Sequence, residues 1–116
     1  MAATPEAKVK AKIHKALKDA GAYAVNYIGG MYAANGTPDI LACLDGRFIG
    51  IEAKAGYNKP TGIQVLSLRK IAKAGGLALV INEKSLDHLD KCLADIHNAE
   101  HNYQPYEKIL DEADNP

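Results

Sequence analysis

Tryptophan is missing from this chain, phenylalanine occurs once, and no apolar run comes near the ~20 residues that span a bilayer. A core must therefore be built from aliphatic side chains, and a membrane-spanning helix is excluded. Cysteine is scarce as well. Cys43 and Cys92 are too few and too far apart for a disulfide framework or a Cys-x-x-Cys metal site, so both are expected to be reduced core residues. Gly29-Gly30 breaks a strand-like segment, yet no Gly-x-Gly-x-x-Gly or Gly-Lys-Ser/Thr follows, which demotes nucleotide binding. The N-terminus, Met1 to Glu6, lacks the apolar stretch of a signal peptide. The expectation is a soluble, cytoplasmic protein. Repeats and low-complexity tracts are absent.

Net charge is also lacking, with 14 Lys/Arg against 14 Asp/Glu, but the two signs are not mixed evenly. Residues 1–70 hold ten bases and five acids, and residues 71–116 hold four bases and nine acids. One basic face suited to phosphates and one acidic face follow from that split. A chain of 116 residues that is 47% hydrophobic has the size and apolar content of one domain. That domain is expected over 1–100, followed by an acidic tail or short helix over 101–116.

Helical spacing of Val9, Ile13, Ala16, Leu17 and Ala20 predicts a helix over 5–20, capped by Thr4 and opened by Pro5. Glu6 in its first turn suits the helix dipole. Residues 22–28 alternate like a strand, and Asn35-Gly36 marks a turn. Thr61 opens a second helix over 62–74, whose expected buried stripe includes Ile63, Leu66, Ile71 and Ala72, with Val65 and Leu68 widening it. Leu77-Ala78-Leu79-Val80-Ile81 reads as a strand covered on both faces. Ser85 caps a last helix over about 86–99, and His97 and His101 stand four apart, a weak metal pair without a third ligand.

Between these elements lies the most informative stretch, 38–54. Asp45-Gly46 is suited to a type I′ turn, because both central residues need positive φ. Pairing Leu44 with Arg47 then pairs Ala42 with Ile49 and Ile40 with Ile51, and sets Asp39 opposite Glu52. Alternation gives Asp39, Glu52 and Lys54 one face and the isoleucines the other. Two facing carboxylates repel, and they are the oxygen ligands that Mg²⁺ or Mn²⁺ prefers. Lys54 adds a fixed positive charge. A solvated hairpin face with a screening lysine is the plainer alternative.

Helix, strand, hairpin, helix, strand, helix, with Gly36-Thr37-Pro38-Asp39, Ile51-Glu52-Ala53-Lys54, Gln64 and Gly75-Gly76 in order, resembles the PD-(D/E)XK nuclease superfamily, and within it the VRR-NUC (virus-type replication-repair nuclease) family. The likeness runs from about Glu6 to Asn82. It implies an α/β fold with a restriction-endonuclease-like αβββαβ core, a central mixed sheet flanked by helices, and a C-terminal helix. It also implies metal-dependent hydrolysis of DNA phosphodiesters. Asp39, Glu52 and the backbone carbonyl of Ala53 would hold Mg²⁺ or Mn²⁺, Lys54 would activate water and steady the phosphate, and Glu6 and Gln64 would complete the site. Small stand-alone members, often from phage or bacteria, resemble Holliday-junction resolvases in acting as homodimers, which implies branched DNA such as Holliday junctions as the substrate and a bacterial or phage-infected cell as the setting. The apolar faces of the first and last helices are then candidate contact surfaces. Lys8, Lys12, Lys15, Tyr57, Lys59 and Lys70 are candidate DNA contacts. The rival reading is a non-catalytic nucleic-acid-binding module with a nuclease-like fold.

Overall fold

A hairpin joins β2 (Ile40–Leu44) to β3 (Arg47–Ala53), and its turn has φ of 51° at Asp45 and 79° at Gly46. Positive φ at both positions matches the right-handed twist of the two strands. Leu44 pairs with Arg47, Ala42 with Ile49 and Ile40 with Ile51, the register that the turn dictates. The computed structural model describes residues 3–29 and 36–98. The acidic segment 101–116 and His101 lie outside them.

The element order is α1 (Pro5–Asp19), β1 (Tyr23–Asn26), β2, β3, α2 (Gly62–Lys73), β4 (Leu77–Ile81) and α3 (Leu86–Asn98). The sheet runs β1-β2-β3-β4, with β1 and β3 antiparallel to β2 and β4 parallel to β3. The protein is thus α/β, a four-stranded mixed sheet flanked by three helices, compatible with an αβββαβ core plus a C-terminal helix. No helix among the described residues is long and apolar enough to cross a membrane.

α1 and α2 start at capping residues, whereas the Ser85 hydroxyl ahead of α3 accepts from the Asn82 N–H at 2.9 Å instead of capping that helix. The Thr4 side chain accepts a hydrogen bond from the Ala7 N–H at 3.1 Å, ahead of Pro5. Thr61 and Gln64 form a reciprocal capping box at the start of α2. Val9, Ile13 and Leu17 of α1 and Leu89, Cys92, Leu93 and Ile96 of α3 join Ile40, Ala42, Leu44, Ile49 and Ile51 in one buried core. The apolar faces of both helices are consumed there, which removes them as the contact surface for a second copy.

α2 covers the other side of β3 and β4. A Cβ added to Gly50 would lie 2.6 Å from Ile71 Cδ1, so glycine is what lets the helix approach β3 this closely. The stripe that α2 buries differs from expectation. Leu68 and Ala72 are buried, whereas Ile63 and Leu66 are more than half exposed. Gln64 shares the sheet-facing side with Leu68 and Ala72 at four-residue spacing and meets Glu52 there, which leaves Ile63 and Leu66 off that face.

Cys43 also departs from expectation, being exposed while Cys92 is buried. Tyr23, Cys43 and Phe48 form one paired row across three strands, on the face opposite Ile40, Ala42 and Ile49. α2 covers only β3 and β4, so this row stays open, with Tyr23 and Phe48 exposed.

Candidate active site

Pro38 has no N–H and fixes its own φ, and the hairpin ladder ends just after it, at Ile40 paired with Ile51. Asp39 is therefore a bend residue next to the ladder, a correction to the expected direct pairing with Glu52. Its backbone carbonyl accepts from the Tyr27 N–H at 2.8 Å, while its carboxylate Oδ2 accepts from the Ala53 N–H at 3.0 Å. The aspartate side chain replaces the missing ladder bond. It thereby stays beside the end of β3, where Glu52 projects.

Glu52 is 2% exposed, the one buried charged side chain among the described residues. Strand alternation sends it to the α2 side of the sheet, where Gln64 Nε2 donates to its Oε1 at 3.2 Å. Its Oε2 is buried and, among the described residues, no donor reaches it, the acid next to this carboxyl being Asp39. A native fold satisfies most buried polar atoms, and leaving one without a partner costs about 1–3 kcal/mol. The Glu52 carboxyl is pushed up to about 8, first by burial and then by the adjacent Asp39, with Lys54 opposing and Glu6 adding a small push upward. A carboxyl raised to about 8 holds a proton at neutral pH.

Lys54 follows β3, and its N–H donates to the Ile81 carbonyl at 3.0 Å, which extends the pairing with β4 up to the lysine. Ala53, the last residue of β3, is buried on the opposite face, in the core with the isoleucines. Gln64 reaches the site from the first turn of α2. Its Oε1 is simultaneously held by the Thr61 N–H at 2.8 Å, so the cap fixes the amide that touches Glu52.

Glu6 comes in from the start of α1 and is about half exposed. Lys10 Nζ stands 3.9 Å from Glu6 Oε2 and 3.7 Å from Asp39 Oδ1, linking the first helix to the site. Lys10 was not among the candidates read from sequence. Its one sequence signal is the i,i+4 spacing from Glu6, and only the packing of α1 adds Asp39.

Asp39, Glu52, Ala53, Lys54 and Gln64 are thus brought together at one end of β3, with Glu6 at the margin. The candidate DNA contacts are spread more widely. Lys8 and Lys12 are exposed on α1, Lys59 lies in the loop after Lys54, and Lys70 is exposed on α2. Lys15 pairs with Asp19 at 2.7 Å, which holds its charge within the helix. His97 lies far along the chain from this cluster: its Nδ1 is 2.6 Å from Asp45 Oδ2 and its Nε2 is 2.6 Å from the Ala20 carbonyl. That is a tie between α3, the hairpin turn and the end of α1.

Two carboxylates and a backbone carbonyl are hard oxygen donors, suited to Mg²⁺ or Mn²⁺ rather than to a soft metal. Among the described residues no group of three or more His, Cys, Asp or Glu side chains stands close enough to hold a metal. A cation here would rest on two side-chain carboxylates and complete its shell with backbone and water oxygens. No protein-family model and no curated protein sequence matches this chain.

Proposed function

We propose that this protein is a metal-dependent DNA endonuclease of the PD-(D/E)XK type, similar to VRR-NUC nucleases, that hydrolyses phosphodiester bonds in branched DNA such as Holliday junctions. The observation that carries the reading is the buried Glu52, with its Oε2 reached by no donor among the described residues, beside Asp39. A buried acid next to a second acid is unfavourable in a purely structural role. It is favourable where a divalent cation is bound.

Asp39, Glu52 and the Ala53 carbonyl would hold Mg²⁺ or Mn²⁺, with Glu6 at the rim. When bound, such a cation acidifies a water molecule and offsets the charge of the scissile phosphate. Gln64 orients the Glu52 carboxylate through its Nε2. Lys54, whose charge is felt at Glu52, positions the attacking water and stabilises charge gathering on the phosphate. Lys8, Lys12, Lys59 and Lys70 supply phosphate contacts. A homodimer related by a two-fold axis would set two such sites on two strands of a junction. Because α1 and α3 are buried in the core, its contact would have to lie elsewhere. A cytoplasmic location accords with this function.

One observation favours a second reading, a non-catalytic DNA-binding module. A proton on Glu52, held as its raised pKa implies, satisfies the acid pair without metal. The two separate when the protein is incubated with duplex, flap and four-way junction DNA in Mg²⁺, Mn²⁺ or EDTA. The nuclease cleaves at least one substrate in metal and none in EDTA. DNA binding that survives EDTA, with no cleavage in either metal, leaves the binding module.

A further inference from the structure

Three residues beyond Lys54 the chain presents an aromatic ring to solvent: Tyr57 is 90% exposed. The loop that carries it is braced at both ends. Lys54 is hydrogen-bonded to Ile81, the Asn58 N–H donates to the Ala55 carbonyl at 3.2 Å, and the Gly56 N–H is shared by both oxygens of Glu83, at 2.9 and 3.1 Å. Lys84 Nζ lies 5.0 Å from the ring centroid of Tyr57 and covers one face of it. The ring is therefore aimed, with a cation behind it and an open face in front.

A ring held in place with one face open can take a stacking partner on that face. The charges around it indicate which. Lys54, Lys59 and Lys84 are within three residues of Tyr57 in sequence or in contact with it, and the charge of Lys12 on α1 reaches Glu83. The one carboxylate in the loop's foundation, Glu83, is held by the Gly56 N–H. A cationic rim around an aromatic face is the arrangement that takes a nucleobase by stacking and its flanking phosphates by charge.

Bases inside a duplex are covered on both faces by their neighbours, so the ring has access only to a base that has left the stack. Three residues of chain span at most ~11 Å, about the length of three stacked nucleotides at ~3.4 Å each. We propose that Tyr57 is a stacking platform for an unpaired nucleobase within a few nucleotides of the scissile phosphate. The substrates are then DNAs that offer one: an overhang, a gap, a flap or the opened arm of a junction. This inference rests on the nuclease reading and names its substrate class.

The chain contains no tryptophan, so Tyr57→Trp in the full chain creates a single fluorescent reporter that keeps a stacking face. Titrated in EDTA, its emission should be quenched saturably by a hairpin DNA with a short thymidine overhang and not by the same hairpin with a blunt end. Tyr57→Ala should weaken overhang binding by about 5- to 150-fold, the effect of one stacked base, and blunt-hairpin binding less than twofold, with an unchanged circular dichroism spectrum. Equal weakening for both DNAs, or none, overturns the platform. Cleavage by the wild type in Mn²⁺ is scored separately. A wild type that cleaves while Tyr57→Ala binds overhangs normally leaves the nuclease standing and removes the platform. Selective overhang binding without cleavage keeps the platform and removes the nuclease. A wild type that binds neither DNA and cleaves neither in Mn²⁺ overturns both.

Discussion

Gln64 serves Glu52 and its own helix with a single amide: its Oε1 accepts the Thr61 N–H at 2.8 Å while its Nε2 donates to Glu52 Oε1 at 3.2 Å. The cap that starts α2 is thus part of the site. Gln64→Ala loses both contacts and should lower stability by about 1–2 kcal/mol. Gln64→Glu keeps the capping acceptor but puts a third acid against Glu52. In urea denaturation, Gln64→Glu should be the more stable of the two at pH 5 and the less stable at pH 9. An unchanged order would separate the cap from the site.

Glu52 should make the protein less stable as pH rises. Its carboxyl titrates near 4.5 in the unfolded chain and near 8 in the folded one. Between those values the folded state binds more protons, so stability falls as pH increases from about 4.5 to 8. Glu52→Gln removes that slope and should be more stable than wild type at pH 9 by on the order of 2 kcal/mol. Denaturation across pH 5–9 in EDTA measures it. Millimolar Mn²⁺ should restore stability at pH 9 to the wild type and not to Glu52→Gln, because it binds only the folded acid pair.

Asp39 combines a structural and a chemical role that substitution can divide. Asp39→Asn keeps an oxygen to accept the Ala53 N–H, whereas Asp39→Ala leaves that N–H without its partner, at about 1–3 kcal/mol. Asn should therefore retain near wild-type melting while cleavage drops by at least ~10²-fold. Lys54→Ala should behave likewise. A melting curve and a cleavage time course on the same preparations decide it. Retained cleavage in Asp39→Asn would remove that residue from the site.

His97 should stabilise the fold in acid and not in base. Both ring nitrogens face acceptors, and only the imidazolium donates from both. The Ala20 carbonyl, foremost, and then Asp45 raise its pKa above 6.5. The contribution is therefore complete below pH 6.5 and fades as pH climbs through the raised value. His97→Ala should depress the melting temperature at pH 5.5 and change it little at pH 9. Placing both measurements in the Glu52→Gln background removes the overlapping titration of Glu52.

The two thiols should differ in access. Cys43 lies on the open sheet face and Cys92 is 4% exposed in the core. An alkylating reagent under native conditions should modify one thiol quickly, and peptide mapping should find it at Cys43. Cys92 should react only on unfolding. Burial of Cys43 between two copies would instead slow its labelling as protein concentration rises.

Short-range rules made much of this molecule legible. Asp45-Gly46 set the hairpin register, and Thr4, Pro5 and Thr61 set where helices begin. Alternation then placed Glu52 on the face away from the isoleucines, because backbone geometry determines which way each strand residue points. The continuous apolar run of β4 announced a strand covered on both sides. These are properties of neighbouring residues and need no tertiary partner.

Tertiary packing decided the rest. Periodicity treated Ile63 and Leu66 as buried, yet α2 is rotated so that Gln64 meets Glu52. Composition put Cys43 in the core, yet among the described residues no helix covers β1 and β2 on that side. Lys10 joined the site because α1 lies across the end of the hairpin, and Glu83 braces the Tyr57 loop because β4 runs parallel beside β3. Strand alternation is local, so the order of residues along the hairpin is enough to select the acids and the lysine. Whether one acid is buried without a partner depends on which element lands above it, and only the folded chain sets that.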